Sequence, residues 1–110
     1  MLKIETFGKT DLIHFYNDNN KCVSQCSVVL YHEEFEIWAL ATYGGERRKG
    51  YATAMLKEVI ARYAAVAPLC LFVEKRNQPA INLYQKCGFE IVGEYRGGAY
   101  AWKMLYKGEQ

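Results

Sequence analysis

The sequence predicts an α+β fold: a mixed, mostly antiparallel central sheet that carries one parallel βαβ unit and two main helices. Three observations predict it. Residues 2–43 read as four strand-like runs separated by turn signals. The pattern then changes to apolar residues at i, i+3 and i+4, the stripe of an amphipathic helix. A short, continuous apolar run follows, flanked by helical patterns on both sides, as expected of a strand covered on both faces.

The elements follow in order. Leu2–Phe7 alternates apolar and polar residues, and Asp11–Tyr16 is rich in β-formers before the turn signal Asn17-Asp18-Asn19-Asn20. Cys22–Tyr31 and Phe35–Tyr43, separated by His32-Glu33-Glu34, complete an antiparallel meander. Ala52, Met55, Leu56, Val59, Ile60 and Tyr63 form the stripe of the first helix, which Pro68 ends at the latest. Leu69–Val73 is the buried strand, and the step to it from Phe35–Tyr43 through the helix is a right-handed parallel crossover. Pro79 suits the first turn of a second helix, whose stripe is Ala80, Leu83, Tyr84 and Cys87 and whose C-terminal cap is Gly88. Phe89–Tyr95 and Ala99–Tyr106 are two further strands, with Arg96-Gly97-Gly98 expected to join them as a tight hairpin.

Length and composition narrow the function. A chain of 110 residues is one domain, residues 1–110, long enough to bury its own core. Hydrophobic residues at 51% and charged residues at 24% exclude a disordered tail protein. With 14 Lys and Arg against 12 Asp and Glu, the net charge of +2 argues against a nucleic-acid partner. Apolar runs are short and broken by charge, so no membrane association is expected, and MLKIETFGKT lacks a signal-peptide core, so a cytoplasmic protein is expected. Cys22 and Cys26, four apart on a strand, would lie roughly 13 Å from each other, too far to chelate one ion. The four cysteines are therefore read as reduced thiols, and no metal site is expected.

The segment that carries chemistry is Arg47-Arg48-Lys49-Gly50-Tyr51-Ala52, between a strand and the first helix. Cations are unfavourable at the positive end of a helix dipole, and only Glu46 compensates locally. A bound polyanion resolves the conflict, because first-turn N–H groups point at it and the basic side chains neutralise it. A solvated basic turn is the plainer reading. Neither a Walker loop nor a dinucleotide fingerprint is present.

Arg47-x-x-Gly50-x-Ala52, at a strand-to-helix turn, resembles the Q/R-x-x-G-x-G/A signature of the GNAT superfamily of acyl-CoA-dependent N-acetyltransferases. A second stretch, Asn77-x-x-Ala80-x-x-Leu83-Tyr84-x-Lys86-x-Gly88-Phe89, matches a further pattern of the same family at the family spacing. The resemblance covers about Phe35 to Tyr106 and implies acetyl-CoA as co-substrate, with no metal. By position it implies that the backbone of Leu40, Ala41 and Thr42 pairs with the pantetheine arm. It assigns the pyrophosphate to the segment Arg47, Arg48, Lys49, Gly50, Tyr51, Ala52 and Thr53, the pantetheine amide to Asn77, and the ribose 3′-phosphate to Lys86. Periodicity alone makes Tyr84 a core residue; the resemblance makes it the general acid for the departing thiolate. The implied reaction is direct transfer of the acetyl group to a primary amine, with a backbone N–H near Thr42 polarising the carbonyl.

The chain departs from the family in two ways. A strand glutamate that some members use as base is replaced by Phe72, leaving Glu34, Glu36 and His32 as candidates. The two helices that usually wall the acceptor site are missing between Phe7 and Thr10, so that side should be open. An open side suits either a small-molecule or a protein or peptide amine, or a homodimer whose contact uses tyrosines and Trp102. A non-catalytic acyl-CoA-binding or interaction module is the alternative reading.

Overall fold

The structure, a computed structural model, describes residues 1–46 and 49–108. Strands β1 (Leu2–Phe7), β2 (Thr10–Tyr16), β3 (Cys22–Tyr31) and β4 (Glu34–Thr42) form the antiparallel meander, followed by helix α1 (Tyr51–Tyr63). Strand β5 (Leu69–Glu74), helix α2 (Gln78–Lys86), β6 (Phe89–Glu94) and β7 (Ala101–Tyr106) complete one seven-stranded sheet in the order β1-β2-β3-β4-β5-β7-β6. β4 and β5 run parallel, and every other neighbouring pair is antiparallel. The α+β architecture expected from the sequence is the one observed.

Register explains why the core lies on one face. Val28, Ile37, Leu71 and Met104 sit opposite one another across β3, β4, β5 and β7, and cross-strand partners share a face. All four are buried in the same cluster as Met55, Leu56, Val59 and Tyr63 of α1 and Ile81 and Tyr84 of α2. Both helices therefore cover the same side of the sheet. The alternate residues, among them Glu36, Trp38, Phe72 and Lys103, lie on the side the helices leave uncovered. No helix among the described residues is long and apolar enough to cross a membrane.

One expectation is corrected. The link between the last strands is not a tight hairpin: Tyr95–Gly97 forms a 3₁₀ turn and β7 begins at Ala101. The cause is aromatic packing. Tyr95 folds back over the sheet, its ring centroid 4.5 Å from that of Phe72 and 5.9 Å from that of Trp38. Trp102, expected at a subunit contact, is half-buried. It pairs with Val73, packs against the core, and carries the Lys75 ammonium 4.2 Å above its ring.

One polar contact ties the meander to α1. The Tyr63 hydroxyl donates to Asp11 Oδ2 at 2.5 Å, while Thr6 Oγ1 donates to Oδ1 at 2.7 Å. Burial, and then the Asp11 carboxylate, push the Tyr63 pKa well above its ordinary value. Tyr63→Phe keeps the ring but leaves one Asp11 oxygen without its donor. It should destabilise the fold by about 1–2 kcal/mol and lower Tm by roughly 5–10 °C, as read by thermal unfolding.

Candidate active site

The site begins with a bulge in β4. Between Gln25 and Ser27 the partner moves from Ala41 to Trp38, so β4 holds one residue more than β3. Ala39, inside the bulge, has φ 54°, a left-handed conformation uncommon outside glycine. β4 and β5 pair at Phe35↔Leu69, Glu36↔Cys70 and Ile37↔Leu71, and then separate. Beyond that point β4 stays with β3 and β5 with β7. The edges that face each other across the gap have lost their strand partners.

A cleft of about 210 Å³ opens there, lined by Ile37–Leu40 on one side, Leu71 and Phe72 on the other, and Tyr84 of α2. Trp38 and Phe72, with ring centroids 4.8 Å apart, bridge the gap on the uncovered face. A second groove of about 420 Å³ runs between the helices, lined by Thr42, by Gly50–Thr53 at the start of α1, and by Pro79, Ala80 and Leu83 of α2.

The two helix starts differ. Asn77 caps α2, its side chain accepting from the Ala80 N–H at 3.3 Å. α1 has Gly50 at its N-cap, with φ 80° and no side-chain cap, and no acidic residue in its first turn. Its first turn thus lines the groove with no side-chain cap among the described residues, an arrangement suited to an anion, and Glu46 lines the same groove. Beside it Glu46 is buried and accepts from Lys21 Nζ at 2.7 Å and Lys49 Nζ at 3.2 Å. Those bonds, Lys21 first, hold its carboxyl below the ordinary 4.5.

Tyr84 is 9% exposed and lines the cleft. Burial raises its pKa above 10, with the nearby Cys26 and Cys87 adding to the shift. An ordinary phenol is already protonated at neutral pH, so the shift makes this group a weaker acid and does not change its protonation there.

The structure brings Leu40 into the cleft with Tyr84, and Thr42 into the groove with Gly50, Tyr51, Ala52 and Thr53. Residues 37–40 of β4 line the cleft beside Tyr84, and Thr42, whose hydroxyl lies 3.0 Å from that of Ser24, lines the groove. Ala41 is exposed on the other face, opposite Gln25. Lys49 is held by Glu46. Asn77 spends its oxygen on the cap. Lys86 is exposed in the last turn of α2 and does not line the groove. Arg47 and Arg48 lie outside the described residues. The base candidates His32, Glu34 and Glu36 line a separate pocket on the uncovered face, which shares Phe72 with the cleft. Sequence reasoning missed Tyr95 and Arg96 in that pocket, because their loop was read as a hairpin. It also missed Lys21, whose place beside Glu46 depends on a turn 25 residues away. Among the described residues no group of three or more His, Cys, Asp or Glu is placed to hold a metal ion.

Residues 4–89 match the family model described as the acetyltransferase (GNAT) family. The chain belongs to the GNAT acetyltransferase family. No curated protein matches it. Among solved structures, a chimaera of the spermidine N-acetyltransferase from Vibrio cholerae superposes with TM-score 0.79 at 14% identity, covering 90% of this chain and 69% of that one. The V. cholerae enzyme in complex with CoA and spermine gives 0.75 at 15% identity, covering 89% and 65%. A GNAT-family protein from Bacteroides thetaiotaomicron gives 0.74 at 18% identity, covering 96% and 66%. This GNAT chain thus spans about two thirds of the length of these structural relatives.

A Cβ added at Gly50 would meet no atom within 4 Å, so only the positive φ opposes a side chain there in the free protein. Gly50→Val should therefore keep its far-UV circular dichroism while its side chain crowds the groove, weakening acetyl-CoA by roughly tenfold or more in calorimetry.

Proposed function

We propose that this chain transfers the acetyl group of acetyl-CoA directly to a primary amine. The observation that carries the reading is the position of Tyr84: a buried, protonated phenol at the parting of β4 and β5, beside an unpaired strand edge. The free edge of β4 beyond Ile37 suits the amides of the pantetheine arm, which would add to it as a strand does. The groove leads from there to the open start of α1, where the pyrophosphate finds N–H donors and the helix dipole. The fit to acetyl-CoA rests on this chain's own groups. Family membership and the V. cholerae relative in complex with CoA and spermine support the same co-substrate and an amine acceptor.

The reaction balances as follows. The ammonium first loses a proton to a base or to water. The nitrogen lone pair attacks the thioester carbon, the C–N bond forms, and the carbonyl π pair moves to oxygen, where backbone N–H groups of the β4 bulge would receive it. Collapse re-forms the carbonyl and breaks the C–S bond. The thiolate takes the Tyr84 proton, the nitrogen gives up its second proton, and Tyr84 is reprotonated from solvent. An exposed Phe7 and Leu12 on the uncovered side of the meander, with the dodecameric V. cholerae relative, support self-association as a further part of this reading.

Tyr84→Phe keeps the ring against Phe89 and removes only the oxygen. It should lower kcat by roughly 10²-fold to 10⁴-fold, with Tm and acetyl-CoA affinity almost unchanged. Unchanged kcat under rate-limiting chemistry would make Tyr84 a packing residue. Tight acetyl-CoA binding with no turnover on any amine would favour a binding module.

A further inference from the structure

The pocket on the uncovered face has about 240 Å³ and lies between the β3–β4 turn and the β6–β7 connection. Phe72 and Tyr95 give it an aromatic floor, and Phe72 is also a wall of the cleft that holds Tyr84. A molecule seated here would reach the parted strands from the side opposite the helices.

Its charges are unevenly matched. Glu34 is neutralised by Lys103, whose ammonium lies 3.0 Å from Oε1. Glu36 accepts from the Trp38 Nε1–H at 2.9 Å and feels the Lys103 ammonium, but no described cation forms an ion pair with it. Arg96 has no carboxylate partner among the described residues; its guanidinium lies 5.0 Å over the Tyr95 ring and 5.6 Å over the Tyr31 ring. One carboxylate without a direct ion pair and one guanidinium therefore stand around one aromatic floor. Glu36 neighbours Trp38, a wall of the cleft, whereas Arg96 stands on the outer loop.

The two loops that rim this pocket hold non-glycine residues in left-handed backbone: His32 at φ 48°, Glu33 at 67° and Arg96 at 47°. At His32 and Glu33 this is the positive-φ pair that the two-residue β3–β4 hairpin turn requires, whereas Arg96 is held so outside such a turn.

We propose that this pocket binds the acceptor, and that the acceptor is a zwitterion of the amino-acid type. The ligand carboxylate pairs with Arg96, its apolar part lies on Phe72 and Tyr95, and its amino group lies at Glu36, toward the cleft. A guanidinium matches a carboxylate in shape and charge. A polycation would instead meet the free guanidinium, with Glu34 already taken by Lys103. The inference rests on the acetyl-transfer reading above and names the substrate class for that site.

The test compares acceptors that differ only at the carboxylate. CoA release from acetyl-CoA is measured with phenylalanine, phenylalaninamide and phenethylamine, then with leucine, leucinamide and isopentylamine, and with spermidine. In both series the amino acid should give the highest kcat/KM, by roughly tenfold or more, the scale of one charge-assisted pair. Arg96→Ala should bring the amino acid down to its amide, with a clearly smaller loss for the neutral-tailed amines. Arg96→Lys should restore part of the preference. Equal rates within each series, faster turnover of spermidine, or an Arg96→Ala loss of equal size for all acceptors would overturn the proposal. If no acceptor is turned over while calorimetry shows acetyl-CoA bound, the acceptor assignment falls and co-substrate binding stands. If acetyl-CoA does not bind, both fall.

Discussion

The parting of β4 from β5 is the constraint on which the rest of the site depends. A parallel pair of this length would ordinarily continue its ladder to the strand ends, because unpaired backbone groups are costly. Here the extra residue at Ala39 turns β4 aside after only three paired positions. β5 cannot follow, since Phe72, Val73 and Glu74 are committed to Lys103, Trp102 and Ala101 of β7. The Trp38 and Phe72 rings, packed across the gap, hold it at a set width. Backbone donors and acceptors are thereby presented to a ligand at a place that the core fixes from both sides.

The parting also joins two different surfaces. On the covered side α1 and α2 leave a groove whose floor is Thr42 and whose far end is an uncapped helix start. On the uncovered side lies a pocket floored by the Phe72 and Tyr95 rings, with Glu36 and Arg96 in its lining. Tyr84 reaches the junction from the helix side. Its phenol, like an ordinary one, is neutral at neutral pH. A co-substrate with a long polar arm and an acceptor that carries an amine can thus approach one carbonyl from opposite faces of the sheet.

Much of this was legible in the sequence because it obeys periodicity. Met55, Leu56, Val59 and Tyr63 repeat at helical spacing and are the buried residues of α1. Leu69, Leu71 and Val73 alternate toward the helices, and the remaining Cys70 is buried too, beneath Glu34 and Lys103, with its thiol pushed up to about 12 by burial. That is why the run reads as continuously apolar. Gly50 announces its left-handed backbone by being glycine. Ala39 and Arg96 occupy the same region of backbone space with no such sign, since tertiary packing, not local preference, holds them there, while His32 and Glu33 do so as the central pair of a two-residue hairpin turn. For that reason the bulge, the rim of the outer pocket and the looped-back Tyr95 were invisible, although residue types on either side were read correctly.

The central claim is that the parted edge of β4 and the open start of α1 together receive acetyl-CoA. Residue-resolved amide hydrogen exchange, with and without saturating acetyl-CoA, tests it most directly. The account predicts new protection confined to the amides of residues 38–42 and to Tyr51, Ala52 and Thr53, with those of β1 and β2 unchanged. Protection that leaves both segments untouched while acetyl-CoA is bound would contradict it.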